Sequence, residues 1–135
     1  MKQQDIFKKA SAHLMGMDGP SLDADGDACV YRGEDGGGCY NGEMCAVGLF
    51  IDDEHYDCGF EGASINDSHA VSNAVAQSWG LDELSSKQLA LLDDLQAAHD
   101  RSSRRIGLSK RIDWSNIIRI SLERVRMKHG LEVSA

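Results

Sequence analysis

Four segments of the chain carry apolar residues at the spacing of an amphipathic helix. We expect helices over residues 5–17, 67–79, 86–100 and 114–129. Ser85 opens the pattern Ser-Ser-Lys-Gln, which is typical of a capping box with Gln88 at the start of the third helix. Gly80 and Gly130 follow the second and fourth segments and are predicted to end those helices. The basic, serine-rich residues 101–110 are predicted to connect the last two helices.

A short β-hairpin is predicted between the first two helices. Residues 30–32 have strand character, residues 39–40 are the return strand, and the glycine-rich residues 33–38 turn between them. The dense apolar run of residues 44–51 follows, and it is too short for periodicity to separate strand from helix. We favour a short buried helix that starts near Gly42, because the preceding asparagine is a good N-cap residue.

Together these elements predict an α+β fold that is mostly helical, with four to five helices and one small β-hairpin. A chain of 135 residues fits a single domain, residues 1–135, and is long enough to bury a hydrophobic core. No apolar run approaches the length of a membrane span, and the first residues lack the layout of a signal peptide. We therefore expect a cytoplasmic protein whose 4 cysteines stay reduced.

The net charge of −8 is unevenly distributed along the chain. From Asp18 to Asp67, 13 acidic residues stand against one basic residue, Arg32, whereas residues 101–135 carry 3 acidic and 9 basic residues. An acidic field of this kind repels nucleic acid and attracts basic protein surfaces. The alternative is that the acidic half pairs with the basic C-terminal helix, within the chain or across a homodimer. Nucleic acid is not an expected partner, although the C-terminal arginines offer a phosphate-binding alternative.

Four residues are candidates for a cysteine-dependent hydrolase or transferase. Cys45 near a helix N-terminus would have a lowered pKa and act as nucleophile. His99 would serve as base, Asp100 would orient it, and Gln96 would stabilise an oxyanion. Because neighbouring residues diverge by about 100° around a helix axis, we expect Asp100 not to orient His99. The favoured alternative is that Cys45 is a buried packing residue and that the protein is not an enzyme.

The sequence contains partial patterns for a calcium site and a zinc site, but each departs from the pattern that the metal needs. Four acidic residues match the first, third, fifth and twelfth positions of a calcium-binding loop, but Ala28 occupies the sixth position, which needs glycine. The four are Asp23, Asp25, Asp27 and Glu34. The cysteines, with His55 and His69, supply enough ligands for zinc, yet no Cys-x-x-Cys spacing occurs. We predict no metal and no cofactor, and a zinc-stabilised binding module is kept as an alternative function.

Five short motifs follow one another across residues 29–100. They are Cys29-x-Tyr31-Arg32-Gly33, Cys45-Ala46-Val47-Gly48-x-x-Ile51, Asp53-Glu54-x-Tyr56, Glu61-Gly62 and Leu95-Gln96-x-x-His99-Asp100. In this order the motifs resemble a family of small uncharacterised phage and prophage proteins, and more distantly a bacterial domain of unknown function. Residues 36–41 lengthen the turn relative to the pattern of that family. The resemblance implies a phage or prophage origin and a host-cytosol setting, with no established activity or cofactor.

The resulting hypothesis is a small acidic phage-type accessory protein that binds and modulates a host protein with a basic surface. One form of this hypothesis is an anti-CRISPR-like inhibitor of a host defence complex, which acts by acidic-surface mimicry. The alternatives are the hydrolase or transferase that uses Cys45 and His99, and the zinc-stabilised binding module. The residues expected to bind the partner are the acidic ones of the turns: Asp23, Asp25, Asp27, Glu34, Asp35, Asp52, Asp53, Glu54 and Asp57.

Overall fold

The computed structural model of the chain describes residues 1–17, 44–61, 64–108 and 113–133. Within these residues the fold is mostly helical and contains no strand. The α-helices are α1 (Gln3–Gly16), α2 (His69–Ser78), α3 (Ser86–Leu108) and α4 (Trp114–Lys128). Three single turns of 3-10 helix lie between α1 and α2, at Gly48–Phe50, Asp53–His55 and Cys58–Phe60. The predicted hairpin over residues 30–40 lies outside the described residues.

Side chains cap two of the helix starts, and the sequence predicted the cap at one of them. The Ser85 backbone N–H donates to Gln88 Oε1 over 2.8 Å, and the Gln88 N–H donates to Ser85 Oγ over 3.1 Å. This reciprocal pair is the predicted capping box. At α2, the hydroxyl of Ser68 accepts a hydrogen bond from the Val71 N–H over 3.3 Å. Asp113 occupies the N-cap position of α4, but its side chain makes no capping hydrogen bond.

Helices α2 and α4 end in the same way, at the two glycines that the sequence singled out. Gly80 has φ of 72° and Gly130 has φ of 64°, in the left-handed region that side chains disfavour. The N–H of the residue after each glycine bonds back across the turn, from Leu81 to Ala76 O and from Leu131 to Arg126 O. These bonds satisfy carbonyls at the helix ends, as in a Schellman motif.

Two predictions about the elements are wrong. Helix α3 does not end near Asp100 but continues to Leu108, because the arginines and the leucine of residues 101–108 favour helix and no proline interrupts them. The apolar run of residues 44–51 does not form an α-helix, since only Gly48–Phe50 adopts a 3-10 turn. Nearly all of its side chains are buried, so the run packs into the core without forming an α-helix.

The core is built around α1, α3 and α4, which all contact one another, while α2 packs beside the Asp53–His55 turn. Trp114, at the start of α4, donates its indole N–H to the backbone carbonyl of Leu14 over 2.9 Å in a buried contact. This bond ties α4 to the end of α1. The side chains that are fully buried in this core include Ile6, Leu14, Val47, Val71, Leu91, Leu92, Leu95 and Ile118. Among the described helices, none has both the length and the apolar character needed to cross a membrane.

Candidate functional site

The turn that contains Cys45 lies against α3 at the residues that the sequence proposed for catalysis. The Val47 N–H donates to Gln96 Oε1 over 3.4 Å, and Gln96 Nε2 donates to Asp100 Oδ1 over 2.8 Å. The same carboxylate oxygen accepts a hydrogen bond from His99 Nδ1 over 3.0 Å. The structure therefore joins Gln96, His99 and Asp100 in one hydrogen-bonded network and places it beside the Cys45 turn.

The expectation that Asp100 does not orient His99 is wrong. Their Cβ atoms diverge around the helix axis, but the ring and the carboxylate bend toward each other and meet at a single oxygen. Gln96, one turn earlier, contacts the same oxygen from the N-terminal side. Because a carboxylate only accepts hydrogen bonds, Nδ1 of His99 must carry the proton in this contact.

His99 is completely buried, with no exposed side-chain surface. Its ring meets the ring of Trp114 edge to face, with centroids 5.6 Å apart and an interplanar angle of 72°. The sequence named His99 only as a candidate base. The contact with Trp114 joins residues that are distant in sequence, so no local pattern could have indicated it. These surroundings hold His99 as part of the packing between α3 and α4.

Cys45 is also fully buried. Burial raises the pKa of the Cys45 thiol well above its ordinary value, although hydrogen bonds from the Gly48 and Val47 N–H groups oppose that rise. The Gly48 N–H lies 3.4 Å from Cys45 Sγ. Since the thiolate is the nucleophilic form, a buried thiol with a raised pKa is poorly suited to nucleophilic catalysis at neutral pH.

The acidic residues that were predicted to bind a partner fall into two groups. Four of them, Asp52, Asp53, Glu54 and Asp57, are exposed on and beside the Asp53–His55 turn, and we call these four residues the acidic turn. The side chain of Glu54 has 76% of its surface accessible. The others, Asp23, Asp25, Asp27, Glu34 and Asp35, lie outside the described residues.

The acidic turn is held by buried neighbours. Phe50 and Ile51, directly before it, are buried in the core, and Phe50 packs edge to face on Trp79 with centroids 5.4 Å apart. At the first residue of the turn, the Asp52 N–H donates to Ser78 Oγ over 2.8 Å. Asp57 Oδ1 accepts the Gly59 N–H over 2.7 Å at the other end. The four carboxylates therefore project from a fixed backbone.

Two of the four basic residues of α4 pair with nearby carboxylates. Arg126 contacts Glu123 on the same helix, and Lys128 Nζ lies 2.9 Å from Asp94 Oδ2 on α3. Partial burial disfavours the charged form of Asp94, but hydrogen bonds from Lys128 and His129 prevail and hold the pKa of its carboxyl below the usual range. Within the described residues, these pairs do not reach the acidic turn.

No group of three or more His, Cys, Asp and Glu side chains within the described residues is arranged to hold a metal ion. Cys29 and Cys39, which the zinc alternative needs, lie outside those residues. The chain matches no protein-family model, and no curated protein and no solved structure is significantly similar to it.

Proposed function

We propose that the chain is a non-enzymatic binding protein that uses the acidic turn to bind a basic surface on a partner protein. The observation that supports this proposal best is the fixed display of four exposed carboxylates on a backbone anchored by Phe50, Ile51 and Ser78. Rigid display lowers the entropic cost of binding. Concentrated negative charge also speeds the encounter with a positively charged partner.

The proposed setting follows from the sequence resemblance to small phage and prophage proteins. In that setting the partner is a host protein in the cytosol, and its basic surface is one that ordinarily binds nucleic acid, as in a defence complex. The same charges support this choice, because a field that attracts a basic protein surface repels nucleic acid itself. The acidic residues outside the described part of the chain contribute further negative charge.

The hydrolase or transferase alternative receives less support from the geometry. Its nucleophile, Cys45, is fully buried, and burial raises the pKa of the thiol. The network of Gln96, His99 and Asp100 is occupied in holding the turn of residues 44–48 against α3. We assign that network to the stability of the fold.

A charge-reversal experiment tests the binding proposal. The variant Asp52→Lys, Asp53→Lys, Glu54→Lys and Asp57→Lys removes the acidic turn, and capture from a bacterial lysate is quantified by mass spectrometry. A matched control reverses four exposed acids elsewhere, Asp5, Asp82, Glu83 and Glu132, so both variants carry the same net charge. The proposal expects a protein with a basic surface that the wild type and the control capture and the acidic-turn variant loses.

The binding of that captured protein is then measured with purified components at increasing salt. An interaction that depends on exposed charges weakens steeply as salt is added. Circular dichroism of both variants verifies that they are folded. If both variants lose the captured protein equally, the interaction depends on net charge and not on the acidic turn. Unchanged capture by the acidic-turn variant would contradict the proposal.

A further inference from the structure

A groove of about 180 Å³ runs between α3 and α4 on the surface of the protein. Three of its lining residues, which we call its floor, are buried: Ala98, Ser121 and Val125. Three cationic side chains and one carboxylate line its sides: Arg101, Arg124, Lys128 and Asp94. Within the described residues, three cationic side chains of the basic C-terminal part thus surround one concave surface.

The two arginines of the groove are exposed and form no ion pair with any residue that the structure describes. The single carboxylate is already engaged, because Asp94 Oδ2 lies 2.9 Å from Lys128 Nζ and 2.7 Å from His129 Nε2. Neither partner of Asp94 is an arginine. Arg101 and Arg124 are therefore available to an anion from solution.

The floor of the groove offers a further hydrogen-bond donor. The hydroxyls of Ser102 and Ser121 lie 3.1 Å apart, and both residues are buried. Two hydroxyls carry two protons, and their mutual hydrogen bond uses one of them. The second proton can be directed elsewhere, and Ser121 is the member of the pair that lines the groove.

We propose that this groove binds the phosphate group of a small phosphate monoester. Guanidinium groups present planar donor pairs that match phosphate oxygens, and a phosphate monoester near neutral pH carries about 1.5 to 2 negative charges. Two unpaired arginines can balance that charge in spite of the neighbouring Asp94. The groove is smaller than the roughly 300 to 1,000 Å³ of pockets that enclose drug-sized ligands, which fits a single anionic group with a short attachment.

Isothermal titration of the full-length protein with phenyl phosphate at constant ionic strength tests the proposal. We expect saturable binding that is weakened roughly ten-fold or more by Arg124→Gln or Arg101→Gln, because each substitution removes a charged hydrogen-bond donor. Arg119→Gln is the matched control, since Arg119 is exposed on α4 but does not line the groove. Its affinity should stay within about two-fold of the wild type.

A parallel titration with inorganic phosphate separates the two sources of the anion. Equal affinity for both probes would show that the groove recognises the phosphate group alone. Tighter binding of phenyl phosphate would show that the attached group also contacts the apolar floor at Ala98 and Val125. Absence of saturable binding to the wild type would overturn the proposal. An equal loss of affinity in Arg119→Gln would also overturn it, because the contact would then be a general attraction to the basic face.

Discussion

His99 Nδ1 donates a hydrogen bond to Asp100 Oδ1 over 3.0 Å, although the two residues are sequence neighbours on α3. The oxygen that accepts this bond also accepts one from Gln96 Nε2, and Gln96 in turn accepts the Val47 N–H. One carboxylate thus fixes a fully buried imidazole and, through Gln96, the turn that contains Cys45. Asp100 therefore positions Gln96, the residue of α3 that accepts the hydrogen bond from this turn.

Replacing Asp100 by alanine is expected to destabilise the protein by about 1 to 3 kcal/mol. The substitution leaves the buried Nδ1–H of His99 without its acceptor and removes the anchor of Gln96. Asp100→Asn keeps an acceptor oxygen, so it should lower the free energy of unfolding by less. Urea unfolding followed by circular dichroism measures both values. Asp82→Ala, at an exposed position before α3, is the control and should change the free energy of unfolding by less than about 0.5 kcal/mol.

Gly80 and Gly16 are expected to respond to alanine in opposite directions. Gly80 has φ of 72°, so alanine there should cost about 1 kcal/mol through backbone strain, although a Cβ would meet no atom within 4 Å. Gly16 is the last residue of α1 and has equally open surroundings without a positive φ. Gly16→Ala should therefore be neutral or stabilise the protein by a few tenths of a kcal/mol. Thermal unfolding of both variants tests the contrast, and an equal loss in both would contradict it.

Local signals in the sequence predicted most of the helices, whereas contacts between distant segments could not be predicted from it. The helices α1, α2 and α4 and the capping box at Ser85 were predicted within a few residues, because spacing and caps are local signals. The end of α3 was missed, since composition alone suggested a connection where the chain continues as helix. The four catalytic candidates were named from the sequence, but the burial of Cys45 and His99 depends on contacts between distant segments, such as that of His99 with Trp114.

Stability should fall in acid through the ion pair of Asp94 with Lys128 and its hydrogen bond with His129. Although partial burial opposes ionisation, hydrogen bonds from Lys128 and His129 hold the pKa of this carboxyl below its usual value, near 3.9. A lowered pKa in the folded state contributes stability that is complete above the unfolded pKa and is lost as the pH falls through the folded value. The difference between the wild type and Asp94→Asn should therefore be about 1 kcal/mol at pH 7 and shrink progressively once the pH falls below the unfolded value of about 3.9.

The neighbouring Asp93 limits the size of that difference. Partial burial and then the charge of Asp94 raise the pKa of the Asp93 carboxyl. Asp94→Asn therefore also removes a small repulsion between the two carboxylates. Urea unfolding at pH 7, 5, 3.5 and 2.5 gives the profile for both proteins. Asp82→Asn, measured in the same series, shows the behaviour of an exposed carboxylate without these partners. A difference for Asp94→Asn that stays constant over this range would contradict the assigned ion pairs.

The thiol of Cys45 is expected to react only when the protein unfolds. It is fully buried, and burial raises its pKa, so the native state offers neither access nor a thiolate at pH 7.5. A variant with Cys29, Cys39 and Cys58 replaced by serine leaves Cys45 as the single thiol. Its labelling by iodoacetamide should be at least roughly 1,000-fold slower in buffer than in 8 M urea, as expected when reaction requires global opening.

The free peptide thiol in the same buffer supplies the reference rate for that experiment, and circular dichroism verifies that the triple variant is folded. Rapid native labelling would show that Cys45 reaches solvent and would reopen its role as a nucleophile beside His99. Protection that disappears in the same variant carrying Asp100→Ala would have a different meaning. It would show that the Asp100 network, by holding Gln96 and the Val47 backbone, is what keeps the Cys45 turn closed.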